Sequence, residues 1–215
     1  MRTALGLSES ATRQVVSAAG MAPSLFNTQP WRFRLCPDRI EVHADPGRRL
    51  IGHDPEDREL RIACGAALFN LRLALDAHDV APVVTIEPGD LPGALAVVRR
   101  GLATVQSRDD AALHQAIKHR RTNRHPFLDA PMPEAYRRVL SFAAAAEGAD
   151  LRTITTPAER FELRCIIALF SHVLPMIELD WLPRRLGFGR SAEQYDADDR
   201  NHDAHRDYPF AHSFH

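Results

Sequence analysis

Lysine is nearly absent: Lys118 stands alone, and the rest of the 27 basic residues are arginine. A phosphate gripped by side chains here would therefore meet planar guanidinium forks rather than ammonium point charges. Cysteines are few (Cys36, Cys64 and Cys165), odd in number and without a Cys-x-x-Cys pair. That excludes a disulfide framework and a cysteine-rich zinc site, and makes a reducing cytoplasm the expected compartment. No apolar run approaches the roughly 18 residues of a membrane span, and the opening MRTALGLSES lacks the apolar core of a secretory signal. A net charge of -1 gives no pull toward nucleic acid or an anionic membrane, and no aromatic platform offsets that lack. The composition that remains, 45% hydrophobic and 26% charged over 215 residues, suits one globular domain or one and a half small ones.

Ser8 or Ser10 can cap a first helix reaching about Ala19, with Val15, Val16 and Ala19 as its apolar face. After a turn-rich loop, Trp31 to Leu35 and Ile40 to Ala44 read as a hairpin around the CPDR turn. Asp54-Pro55, followed by Glu56 and Asp57, predicts a helix start, and Leu60, Cys64, Leu68, Leu71 and Leu75 carry that helix to about His78. Its centre is apolar nearly all round, which predicts deep burial or an interface. Strands are expected at 82–86 and 94–98, a helix from Asp109 to about Lys118, a helix from Glu134 to Glu147, a strand at 151–154 and a helix from about Thr156. From about Gly187 the chain is dense in Asp, His and Arg without apolar period, and reads as a weakly ordered tail. His202, His205, His212 and His215 belong to that polar tail, and no metal site is assigned to them. His43 and His53 read as surface or loop residues.

Two stretches carry candidate chemistry. The loop Ala22-Pro23-Ser24-Leu25-Phe26-Asn27-Thr28-Gln29-Pro30-Trp31 supplies two hydroxyls, two amides and main-chain donors between a helix and a strand. A flavin ring wants that mixture, with donors and acceptors at its polar edge and apolar contact on its faces. Taken alone, these are equally ordinary turn residues beside a core tryptophan. Arg120, Arg121, Thr122, Asn123 and Arg124 place three guanidinium groups and a hydroxyl within five residues. Such a cluster can hold a terminal phosphate, or it can be a solvated patch. His125 beside it is a phosphate neighbour at most.

APSxxNxQPW resembles the isoalloxazine-contacting loop of the nitroreductase superfamily, GAALFNLRLAL its long dimer-core helix, and RRTNRHPF its phosphate-binding signature. The order, loop first and arginines some ninety residues later, resembles the Acg family, in which two nitroreductase-like halves are fused. The resemblance implies an α+β, nitroreductase-like fold with an antiparallel or mixed sheet flanked by helices. It divides the chain into a first half (1–118), the start of a C-terminally truncated second half (119–186) and the tail (187–215). It implies FMN, held by Pro23, Ser24, Asn27 and Gln29 at the ring and by Arg120, Arg121, Thr122 and Arg124 at the phosphate. It further implies NAD(P)H and a small electron acceptor, a quinone or nitro compound, as partners, and allows a homodimer. No acid–base residue is nominated, since the cofactor supplies the reactivity. The alternative is a protein that binds or sequesters flavin without catalysis, or an inactive remnant.

Overall fold

The computed structural model describes residues 3–102, 107–123, 125 and 130–173. They divide into two compact units, Met1–Arg121 and Thr122–His215.

In the first unit, helix α1 (Glu9–Gly20) begins where the Ser8 hydroxyl accepts the Ala11 N–H at 3.2 Å. Strands β1 (Trp31–Leu35) and β2 (Arg39–Ala44) form the antiparallel hairpin, pairing Trp31 with Ala44 and Leu35 with Ile40. Helix α2 (Arg58–Asp76), strands β3 (Pro82–Ile86) and β4 (Ala94–Arg100) and helix α3 (Arg108–Ile117) follow. The sheet is wholly antiparallel in the order β1-β2-β4-β3, so β2 and β4 lie at its centre. Ile40, Val42, Ala96 and Val98 on these central strands join Val15 and Ala19 of α1 and Leu71 and Leu75 of α2 in one apolar core. The architecture is α+β.

Helix α2 is the spine of this unit, with ten of its nineteen residues buried. Leu68 and Leu71 are 8% and 0% exposed within the single chain, so their burial needs no second subunit. The deep burial that its apolar circumference predicts is therefore met within one chain: α1, α3 and the sheet cover the helix, and Ile62 is its one mostly exposed large apolar side chain. The start of α2 also differs from the sequence reading. Asp57 adopts a left-handed φ of 58° and pairs with Arg49, which breaks the helix before Arg58. Asp54 instead folds forward, and its carboxylate accepts the Leu60 N–H at 2.8 Å.

In the second unit, α4 (Glu134–Ala146) and α5 (Pro157–Val173) match two predicted helices. Helix α5 opens on a capping box, in which the Thr156 hydroxyl accepts the Glu159 N–H and Glu159 accepts the Thr156 N–H. The Arg152 guanidinium, with the Thr156 and Thr155 donors, holds the Glu159 carboxyl down to about 2. The strand expected at 151–154 is not formed. A lone strand has no ladder to complete, and no described residue pairs with it. None of the described residues of this unit is buried, and Tyr136, Val139 and Phe142 on α4 and Phe161 on α5 are exposed. The tail from Gly187 lies outside the described residues. Among the described residues, no helix is long and apolar enough to cross a membrane.

Candidate functional site

The residues from Met21 to Pro30 join α1 to β1 through a short 3₁₀ turn, Leu25–Asn27. Phe26, Asn27 and Gln29 have φ values of 50°, 57° and 49°. Side chains other than glycine resist this left-handed region at roughly 1 kcal/mol or more each, asparagine least. A loop with three such residues in four must be held in place, and it is. The Ser24 hydroxyl accepts the Gln29 N–H at 2.8 Å, while the Ser24 carbonyl accepts the Asn27 N–H at 3.1 Å. The Thr28 N–H and hydroxyl both donate to the Leu25 carbonyl. The Gln29 side-chain amide donates to Asn27 Oδ1 at 3.3 Å.

Helix α2 fixes both ends of the loop. Asn70 is the one buried amide of that apolar helix, and its Nδ2 donates to the Ala18 carbonyl at 3.1 Å, at the end of α1. Cys64 donates its thiol to the Pro30 carbonyl at 3.4 Å, at the start of β1. Burial pushes that thiol up to about 11, so it acts here as a hydrogen-bond donor and not as a thiolate. Beneath the loop, between Leu25, Thr28 and Pro30 above and Leu60 and Ala63 below, the void is only about 10 Å³. That is room for at most one water, so the loop is packed from below. Asn27, Pro23 and Phe26 are exposed on its outer side, and Phe26 meets the His53 ring edge-on at 5.2 Å. Trp31 is buried in the core.

A second support was missed in the sequence. Strand β2 ends at Ala44, and Asp45 then caps a one-turn 3₁₀ helix, Pro46–Arg48, by accepting the Gly47 N–H at 3.0 Å. Gly47 admits this, since a Cβ there would sit 3.3 Å from Asp45 Oδ1. The turn carries Arg48 back to the loop, where its Nη1 lies 3.3 Å from both the Thr28 and the Gln29 carbonyl oxygens. Only an arginine or lysine falling beside Asp45 after a strand hinted at this, and nothing local says where it would reach.

The arginine stretch is exposed. Arg120 and Arg121 follow α3, and one Arg121 nitrogen donates to the Lys118 and Arg120 carbonyls, closing the end of that helix. Thr122 and Asn123 are exposed too, and Arg124 lies outside the described residues. Among the described residues, no hydrogen bond or ion pair joins Arg120 or Arg121 to Ser24, Asn27 or Gln29.

His43 is not a bare surface residue. Its Nε2 lies 2.9 Å from Glu41 and its Nδ1 3.0 Å from the Gly93 carbonyl. Glu41, in the central strand β2, is 1% exposed and also accepts Arg39 Nε at 2.8 Å. Burial pushes its carboxyl up, but the His43 and Arg39 hydrogen bonds and the nearby Arg34 charge outweigh that and leave it below the usual carboxylate range. This cluster knits the outer face of the sheet. In the second unit, an open groove of about 420 Å³ is lined by Arg137, Arg138, Ser141, Thr153 and Thr155, and Glu134 pairs with both arginines. Among the described residues, no group of three or more His, Cys, Asp or Glu could hold a metal ion.

No protein-family model matches the chain. It is 32% identical over 161 residues to a Mycobacterium tuberculosis protein provisionally named an NAD(P)H nitroreductase, covering 75% of this chain and 46% of that protein. It is 32% identical over 120 residues to the protein of that organism provisionally named NAD(P)H nitroreductase acg, covering 55% of this chain and 36% of that one. The chain thus spans about half the length, or less, of these curated relatives. A solved protein from Desulfovibrio desulfuricans, provisionally named a nitroreductase and in complex with FMN, overlaps 62% of this chain and 90% of its own, at 19% identity and a TM-score of 0.39, too slight a likeness to bear on the fold. The sequence similarity to the mycobacterial proteins supports a place for this chain in the nitroreductase superfamily.

Proposed function

We propose that this chain carries the ring-binding loop and part of the phosphate-binding stretch of an FMN-dependent NAD(P)H oxidoreductase of the Acg type. The observation that supports this best is the loop itself. A strained, left-handed segment, packed from below and braced at both ends, holds the Asn27 amide and Pro23 at its outer side. Strain of this kind is retained where the surroundings over-determine it, and such places are commonly ligand sites.

The donor set fits one edge of a flavin. Asn27 offers both a donor and an acceptor, Pro23 an apolar contact, and the loop main chain further polar groups. Ser24 plays a different part. One of its lone pairs is engaged by the Gln29 N–H, so it shapes the loop and keeps its own O–H and one lone pair for the ring. Arg120, Arg121 and Arg124, with the Thr122 hydroxyl, would supply charge-assisted bonds to a terminal phosphate. Bound FMN would supply hydride chemistry, taking reducing equivalents from NAD(P)H and passing them to a quinone or nitro compound. The chain's own contribution is to bind and orient.

The purified protein is inspected for a flavin visible spectrum and titrated with FMN, and NADPH oxidation with a quinone acceptor is then followed. Saturable FMN binding that Asn27→Ala weakens by roughly tenfold, one hydrogen bond's worth, supports the reading. A protein that takes up no FMN refutes it, and binding without NADPH oxidation narrows it to flavin binding alone.

A further inference from the structure

We infer that Arg48 is a positioning residue for the loop, acting with Asp45 to lock the Thr28–Gln29 peptide plane and so aim Asn27 at its ligand. The inference rests on the flavin reading above for the identity of that ligand.

The geometry is that of a clamp with two jaws. The N–H of the Thr28–Gln29 peptide donates to the Ser24 hydroxyl at 2.8 Å, and its C=O accepts Arg48 Nη1 at 3.3 Å. The same Arg48 nitrogen reaches the next carbonyl, that of Gln29, at 3.3 Å. A peptide plane gripped on both edges is held against flipping, and a flip here would release the left-handed conformation at Gln29 and with it the bond from the Gln29 amide to Asn27 Oδ1. Arg48 is itself held. Its Nε lies 3.5 Å from Asp45 Oδ2, and Asp45 is 8% exposed, bonded by the Gly47 N–H and by Arg32 at 2.7 Å. The Asp45 N–H donates in turn to the Pro30 carbonyl at 3.0 Å. Pro30 is thus the point where the clamp, the Cys64 thiol and the first residue of β1 meet.

The guanidinium is half exposed, and its two carbonyl contacts sit at the long end of hydrogen-bond range, so each is worth less than a buried charge-assisted bond. Its effect is therefore expected on the shape of the loop, not on the stability of the fold. Arg48 reaches both carbonyls through Nη1 and Asp45 through Nε, a two-ended grip that the single nitrogen of a lysine does not replace in full.

The experiment compares the full chain with Arg48→Ala, Arg48→Lys and Asp45→Asn, the last releasing Arg48 without shortening it. Amide hydrogen exchange at Asn27, Thr28 and Gln29 is measured without flavin, and FMN and riboflavin affinities by quenching of flavin fluorescence. In Arg48→Ala we expect exchange at these three amides to rise about tenfold while core amides of α2 are unchanged. Affinity for FMN and riboflavin should fall together, by roughly tenfold, because the loop meets the ring and not the phosphate. Arg48→Lys should recover part of both losses. Unchanged exchange, or faster exchange with unaltered flavin affinity, overturns the positioning role while leaving the flavin reading intact. Faster exchange in a chain whose unmutated form binds neither flavin overturns the flavin reading alone, the clamp then serving another ligand.

Discussion

The Asp54 carboxylate accepts the backbone N–H of Leu60, six residues onward, at 2.8 Å in a buried setting. Burial pushes this carboxyl up, and the Glu59 side chain with the N–H groups of Leu60, Glu59 and Arg58 brings it below its ordinary value. Asp54 thus serves as an N-cap for α2 from outside the helix. Replacing Asp54 by alanine is expected to lower stability by about 1–2 kcal/mol, the scale of a lost cap. Asparagine, which keeps an acceptor, should restore part of it. Urea unfolding of both variants, with unchanged denaturant slope, measures this.

Glu41 makes the fold acid-sensitive. Its folded carboxyl lies below its unfolded value, so its contribution to stability is present above the unfolded value and is lost as pH falls through the folded one. Glu41→Gln is expected to be less stable than the parent at neutral pH, and the gap should narrow as acidification carries the pH below the ordinary carboxylate value. Urea midpoints across that range check the sign. A gap that widens on acidification would mean that Glu41 is not the paired carboxylate described here.

The three thiols should differ sharply. Cys64 is buried with its thiol pushed up to about 11, Cys36 is half-buried and Cys165 is exposed on α5. A disulfide reagent at neutral pH should label Cys165 first and Cys64 only on unfolding. Mass spectrometry of peptides after timed labelling reads the order.

Much of the fold was legible locally. The 31–35 strand and the CPDR hairpin follow from alternation and turn chemistry, and α2 from its leucine and cysteine spacing. What failed was set at a distance. The Asp54-Pro55 start signal was genuine chemistry, but the left-handed Asp57 and its Arg49 partner moved the helix to Arg58. The 151–154 stretch has strand-like residues and, among the described residues, no neighbour that pairs with it. In the candidate site, the loop residues Ser24, Asn27 and Gln29 could be named from the sequence through the resemblance of APSxxNxQPW to the nitroreductase loop, since by themselves they read as turn residues. The residues that hold the loop could not. Arg48, Asn70 and Cys64 act through carbonyls nineteen to fifty-two positions away, a relation that only the folded chain creates.

Whether this chain reads both the ring and the phosphate of FMN is decided by one paired titration. FMN and riboflavin are added to the parent and to an Arg121→Ala, Arg124→Ala double variant whose folding is verified by circular dichroism. Two charge-assisted bonds of roughly 1.5–3 kcal/mol each correspond to a loss of FMN affinity on the order of 100-fold or more. That loss is expected for FMN, with riboflavin, which lacks the phosphate, nearly unchanged. Equal losses for the two ligands, or no loss for either, would mean that these arginines do not read the phosphate.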